Sequence, residues 1–448
     1  MTTRPMTRRE LLAAAGAGVV GVSAFGRLAL GQPGGLASSG PQVDKGSNMD
    51  RSSLTDVIFY LSKGRVGAIR PDEGDECYPE FVAPNQASWQ LIYLFPDGRQ
   101  AVLFSQEPPR NPNAAFGDPD GPAFAKTHMW RYDFVSRAMR EIALPSYAGT
   151  IGLLAGGDRF LVLENNQNVA RLYATDLDGG KGEEYYSSPG YAYGTSLSPD
   201  RHQVAFHITG GPAPVYAICV VTLADKTCTV IANDPAWLYF GPTWSPDGQW
   251  LLYQRCAHRG DPGHDRSDLC ISRADGSEHR MLTSGQSHWF AAAMGIPELK
   301  GSGSNGPAWS SKGQIVCTLL LPDSQTAWPY RVGQPDLDHF NRDYHPELAR
   351  GGTRVCLIDP MGGQITAITH DDPPTWYVRP AWSPDGTRLA VGRADVGALT
   401  ELWVMDADGA HSHPLTRGID GTGADHYRWL RLTTQAASAL WEAPKGGT

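Results

Sequence analysis

The chain has 448 residues and a formal net charge of −9, enough length for one large β domain or two smaller ones. The negative balance gives no general attraction to nucleic acid or to anionic lipid, so both are set aside as partners. With 51 glycines, 34 prolines, frequent Trp and Tyr and no long polar low-complexity run, the composition suits a turn-rich all-β protein.

The first residues read as an address. Thr7-Arg8-Arg9-Glu10-Leu11-Leu12 precedes an Ala/Gly-rich apolar run to about Phe25, and Ala29-Leu30-Gly31 is a small-residue cleavage site. This resembles a twin-arginine export signal, although an ordinary Sec signal or an uncleaved anchor also has a basic start and an apolar run. The run is short and glycine-rich for a transmembrane helix. The expected layout is a signal over 1–31, a Gly/Ser/Pro-rich linker over 32–53 and a single β domain over 54–448. The mature chain is expected to be periplasmic or secreted, monomeric and without a membrane span.

Repeats dominate the rest. They run over Trp89–Leu144, Thr150–Tyr186, Tyr191–Ile231, Leu238–Leu282, Ser304–Thr369 and Tyr377–Thr416. The sixth is the clearest. Its turn Trp382-Ser383-Pro384-Asp385-Gly386 leads to Arg388-Leu389-Ala390-Val391, then Glu401 to Met405, then the turn Asp406-Ala407-Asp408-Gly409. Proline presets φ for a turn, and glycine accepts the positive φ that a tight turn needs. The fourth repeat has the same Trp244-Ser245-Pro246-Asp247-Gly248, and the third and fifth have partial copies. A seventh unit begins near Ala424 without outer strands of its own, whereas Asp56–Leu61 and Arg65–Arg70 form a hairpin that no repeat claims. Pairing the N-terminal strands with the C-terminal one closes a ring and removes exposed edges. The expectation is an all-β, seven-bladed β-propeller, with six or eight blades also compatible with the count.

The W-S-P-D-G turn, alternating strand and D-x-D-G turn resemble the TolB-type, WD-repeat-like propeller repeat. That resemblance implies the fold for most of the chain after Ser53, and little about activity, because the repeat residues build turns and packing.

In such a blade the tight turns fall on one face, and the links and second-to-third strand connections fall on the other. The long segments 106–126, 256–267, 284–303 and 322–350 therefore share a face. Long loops in a compact domain commonly bind or cover something. They are chemically loaded, with His258, Arg259, His264 and Asp265 in one, His288 and Trp289 in the next, and Asp338 and His339 in the third. Arg379, Arg393, Arg428 and His426 stand near strand ends at the ring mouth. Histidine with carboxylate can move protons, arginine holds carboxylates, and Trp stacks on sugar rings. The bland alternative is that Asp and Arg hold their own loops shut. Asp336-x-Asp338 with Asn341 and Asp343 has calcium-like oxygen density without an EF-hand's glycine and glutamate. His411 and His413 lie by a tight turn and read as surface, while His202 and His207 point to opposite faces of a strand.

Two functions follow. The first is a binding propeller that holds a carbohydrate or an envelope protein. The second is an oligosaccharide lyase, since the chain also resembles the oligogalacturonate lyases in blade number and in His258 after the second strand of a middle blade. That resemblance implies His258 as the base in β-elimination, and a manganese ion held by histidines and a glutamine on innermost strands. Here those strands read Ser304 to Trp309 and Trp376 to Trp382 with no His-x-His pair, so no metal ligand is assigned and the cofactor stays unknown. An arginine such as Arg379 can neutralise a uronate instead. No G-x-S-x-G elbow is present for a serine hydrolase.

Seven cysteines lack any C-x-x-C pair. Cys219 with Cys228, and Cys256 with Cys270, flank strand connections, and each pair is open to a cross-strand disulfide or to simple burial.

Overall fold

Turn chemistry sets the frame. In the Ser-Pro-Asp-Gly turns the serine hydroxyl donates to the aspartate and accepts a backbone N–H five residues on. Ser245 Oγ lies 2.5 Å from Asp247 and receives Trp250 N at 2.9 Å; Ser383 and Ser198 repeat both contacts. Gly248 and Gly386 supply φ values of 71° and 65°. The serine and aspartate side chains of the motif that identifies the repeat are thus occupied with closing hairpins.

The computed structural model describes residues 54–442 apart from 63–64, 73, 75, 80, 82–85, 87, 109, 112–125, 146, 210–215, 258–265, 298, 330–341, 372–374 and 417–424. The export signal and the linker lie outside the described residues. Among the described residues, no helix is long and apolar enough to cross a membrane.

The architecture is an all-β propeller. Five blades stand as separate four-stranded antiparallel sheets, not the seven that the repeats predict. Four of them are the first, second, third and sixth repeats. The remaining one joins Leu54–Ser62, Arg65–Ile69 and Glu76–Cys77 to Asp425–Thr433. The fourth and fifth repeats instead share one nine-stranded sheet. The cause is the two-residue strand His288–Trp289, which pairs with Arg266–Arg273 on one side and Ile315–Leu320 on the other. A second hairpin, Ala291–Ile296 with Leu299–Ser304, fills the rest of that link.

The N- and C-terminal strands do pair. Their antiparallel register runs from Leu54↔Thr433 to Leu61↔Asp425. Asp56 fastens it, accepting from Arg431 Nε at 2.8 Å and Trp429 Nε1 at 2.9 Å. Helix Thr434–Trp441 follows, which the repeat pattern does not anticipate. Thr433 caps it by accepting from Ala436 N, and Ala436 and Ala437 pack beside Phe59 and Leu103.

Many strands are buried on both faces, which explains their continuous apolar runs. In Gln203–Thr209, Val204, Phe206 and Ile208 pack on Leu161, Leu172 and Ala174 of the second repeat. Ala205 faces the other way, onto Tyr239, Trp244 and Leu251 of the fourth. The same alternation places Leu252 and Ile271 against Ile315 and Cys317, and Val316 and Val355 against Tyr377 and Leu389. Val57 and Phe59 meet Leu91 and Leu103, Ile92 and Val102 meet Phe160 and Val162, and Ala390 and Val404 meet Ile58, Tyr427 and Trp429. Asn165 stitches one seam with two buried bonds to Ala192, at 2.8 and 2.9 Å.

All seven cysteines are free thiols. Cys256 and Cys270 pair in register with Leu238 and Tyr253, not with each other. Cys219 and Cys228 share one sheet face as diagonal neighbours. Their side chains are hydrogen-bonded, which raises the buried Cys219 thiol and lowers the exposed Cys228. Mild oxidation with diamide is expected to close this pair. Two thiols give up two protons and two electrons, and the diazene is reduced to the hydrazine. Thiol titration in denaturant then falls from seven to five, and tryptic mass mapping finds 219 linked to 228. A count that stays at seven, or a different linked pair, contradicts this.

Candidate ligand site on the long-loop face

The expected asymmetry of the two faces has an exception. In the second repeat the connection between the second and third strands is only a tight turn, with Gln167 and Asn168 at φ 50° and 61°. The described parts of 284–303 and 322–350 meet the 394–397 connection of the sixth repeat, and most of 106–126 and 256–267 lies outside the described residues. There they wall a small open cleft. The strand link contributes Trp289 and Met294, the fifth repeat Thr326 and Trp328, and the sixth Trp376 and Asp395.

These walls are fixed. The Trp289 and Trp376 rings lie 4.8 Å apart, and Trp328 sits 4.8 Å from Tyr344. Trp328 Nε1 donates to Gly295 O at 3.1 Å, and buried Arg342 donates to Trp328 O at 2.7 Å. Asp395 Oδ1 accepts from Thr375 Oγ1 at 2.8 Å. The three indoles are at most 5% exposed, so they form the floor of the cleft. Trp289 Nε1 is buried without a hydrogen-bond partner.

Behind the floor lies a polar knot centred on Asn305, which is 0% exposed. Its Nδ2 donates to Trp289 O and to Thr318 Oγ1, both at 2.6 Å, and its Oδ1 accepts from Arg379 N at 2.6 Å. Asn305 thereby ties the strand link, the fifth repeat and the sixth repeat together.

The sequence candidates divide. His258, Arg259, His264, Asp265, Asp338 and His339 lie outside the described residues, and so does most of the calcium-like stretch. His288 and Trp289 are 0% and 1% exposed. His288 Nδ1 is 3.3 Å from Ser267 Oγ, its Nε2 has no partner, and burial lowers its pKa to about 3. It is a neutral group inside the sheet that it bridges. Arg393 stacks 4.3 Å from the Trp403 ring and pairs with Asp371 at 3.5 Å. Arg379 is 3% exposed within its innermost strand, and burial lowers its pKa to about 10. His426 belongs to Asp425–Thr433. Trp376, Trp328 and Asn305 were not singled out from the sequence. The bland reading of loop aspartates holds for Asp268, which accepts from Gln286 N and Nε2 at 3.0 and 2.8 Å. His411 is exposed and bonded to Asp406, and His207 is buried while His202 is exposed, as their positions predict.

Comparison with solved structures bears on the fold. TolB from Acinetobacter baumannii is 15% identical over 84% of this chain and 82% of its own, with a TM-score of 0.41. An oligogalacturonate lyase in complex with manganese is 13% identical over 82% of this chain and 85% of its own, with a TM-score of 0.50. The chain folds as a β-propeller. A Mycobacterium tuberculosis puromycin-hydrolyzing peptidase is 12% identical, with a TM-score of 0.50, over 85% of this chain but 54% of its own. At these identities the likeness concerns the propeller fold alone. No protein-family model matches the chain, nor does any curated protein.

Manganese in the lyase invites a test of the donors here. Strands Ala308–Trp309 and Trp376–Trp382 carry no histidine, and among the described residues no three His, Cys, Asp or Glu side chains gather as a metal site. The described residues do not fit the ion, and no chemistry is derived through it.

Proposed function

We propose that this protein is an exported propeller that binds a carbohydrate or envelope-protein ligand on its long-loop face. In this reading the ring has seven units, closed by Leu54–Ser62 on Asp425–Thr433. Support for the ring comes from the seven apolar seams, each joining neighbouring units, the last of them joining the sixth repeat to the terminal strands. Support for export comes from Arg8-Arg9 and the apolar run that follows them. The mature chain acts as a monomer in the periplasm or outside the cell.

The observation that carries the binding reading is the tryptophan-floored cleft, whose walls come mostly from the strand link and the second-to-third strand connections, with Trp376 and Ala394 at the ends of strands. A carbohydrate is favoured over a protein partner because the cleft is small, aromatic and edged by Thr326 and Asp395. Titration with trigalacturonate and cellotriose, followed by tryptophan fluorescence, tests it. Trp328→Ala is expected to weaken binding roughly tenfold or more. Unchanged affinity in that variant, or no binding by the parent chain, contradicts the reading. The second reading, a lyase with His258 as base, takes its support from the place of His258 after the second strand of a middle repeat. It predicts absorbance of an unsaturated product during the same trigalacturonate titration.

A further inference from the structure

The cleft on the long-loop face is one-sided in charge. Among the described residues its lining holds three indoles, the Met294 thioether and the Thr326 hydroxyl, and its one ionisable side chain is Asp395. No described lysine, arginine or histidine lines it.

The fold fixes this carboxylate in place. Ala394 ends the strand Arg388–Ala394, and Asp395 opens the connection to Glu401–Asp406. Asp395 O accepts from Ala398 N at 3.1 Å, closing a turn in which Gly397 has a φ of 76°. Thr375, itself 2% exposed, donates its hydroxyl to Asp395 Oδ1 at 2.8 Å. An ionised carboxylate has about four acceptor sites. Asp395 is exposed, and no cation pairs with it among the described residues.

Arginines in neighbouring elements are engaged elsewhere. Arg393 pairs with Asp371 at 3.5 Å and stacks 4.3 Å from the Trp403 ring. Arg342 is 3% exposed and donates to Trp328 O. Glu401 stands opposite Arg393 in register and accepts from Trp403 Nε1 at 3.0 Å. Around this connection Asp371, Asp395 and Glu401 therefore outnumber Arg393. The formal charge of the whole chain, −9, has the same sign, and a negative field draws cations toward such a site.

We propose that the cleft takes a cationic, amine-bearing sugar, whose ammonium group sits against the Asp395 carboxylate while its ring lies on the tryptophan floor. This rests on the binding reading of the cleft and names the charge of the ligand. An ammonium gains a charge-assisted hydrogen bond from a carboxylate that is already held in position. A uronate meets like charge at the same place and is the poorer ligand.

Two trisaccharides isolate the charge. Cellotriose and the trimer of glucosamine with the same linkage differ in one substituent per ring, a hydroxyl against an ammonium. Calorimetric titration at mildly acidic pH, where the amines are charged, is expected to find the glucosamine trimer bound roughly fivefold to tenfold more tightly than cellotriose. Trigalacturonate is expected to bind most weakly of the three, and added salt to shrink the preference. Asp395→Asn keeps an acceptor for Thr375 and removes the charge. It is expected to bring the ratio of the two affinities close to one, whereas Asp395→Glu retains part of the preference. Both variants are expected to melt near the parent temperature, because the side chain is exposed. A preference that survives in Asp395→Asn overturns the inference. So does trigalacturonate bound more tightly than cellotriose. Equal affinity of the parent for cellotriose and the glucosamine trimer overturns it while leaving the cleft reading intact. Trilysine bound more tightly than the glucosamine trimer overturns the sugar in favour of a peptide amine. If the parent binds none of the four ligands, both readings fall.

Discussion

Trp382→Ala is expected to lower the unfolding free energy by roughly 3–5 kcal/mol, the usual range for removing a buried tryptophan. The indole is 1% exposed, and it fills the seam with Ala308, Val316, Tyr377 and Leu389. Its Nε1 donates to Ala308 O at 3.2 Å, across to the preceding repeat. Trp244 does the same to Ser196 O at 3.0 Å. Each such tryptophan ends an innermost strand and locks it to its neighbour, so the loss is felt by two units at once. The hydrogen bond separates the cases. Trp309 Nε1 has no partner, so Trp309→Phe is expected to cost less than Trp382→Phe, which loses the buried hydrogen bond to Ala308 O. Urea titration read by circular dichroism measures the difference. Equal costs for the two phenylalanine variants would show that packing alone matters at these sites.

The second large effect is acid destabilisation through His288. Its pKa is near 6.5 in the unfolded chain and is lowered to about 3 in the fold by burial. Between these values the unfolded state binds the extra proton, so stability rises with pH. The contribution is therefore complete above about pH 6.5 and is lost as pH falls toward 3. Between pH 7 and pH 4 the loss amounts to about 3 kcal/mol. His279 is also lowered by burial, with Arg255 adding to the effect. Asp133 and Asp385, whose carboxyls are held low by hydrogen bonds, act in the same direction at lower pH. His288→Gln isolates the one histidine. Its stability relative to the parent is expected to improve steadily as pH drops from 7 to 4.5. A gap that stays constant across that range would mean that His288 is protonated in the fold.

Much of the fold is legible in the sequence because its signals are local. Ser-Pro-Asp-Gly writes a turn whose hydrogen bonds close within six residues, as Ser245 to Trp250 shows. Pairing of the terminal strands is legible because the hairpin near Asp56 and the strand near Trp429 each lack a partner of their own. The two-residue strand His288–Trp289 is not legible, since two residues have no period. Its pairing with two other strands is a tertiary fact. That strand is also why His288 reads as a loop ligand in sequence and is a buried bridge in the structure. The helix Thr434–Trp441 did leave a signal, a threonine cap ahead of Ala-Ala-Ser-Ala-Leu. It is masked by the expectation of further strands.

For the site, the charged loop residues attract notice and the aromatic floor does not. Trp328 and Trp376 lie 48 residues apart, and only the fold brings them to one cleft. One backbone feature is legible as well, once the repeats are aligned. Arg379 breaks a glycine-proline pattern that its sister repeats keep, and the positive φ explains why that substitution is unusual.

Deuterium exchange of the full chain, with and without saturating trigalacturonate, tests most directly whether the ligand sits on the long-loop face. Slower exchange is expected at 293–297, 326–328 and 394–397, the walls of the cleft, with no change at the Ser-Pro-Asp-Gly turns. Protection confined to 246–249, 384–387 and 406–410 would put the ligand on the tight-turn face and contradict the account.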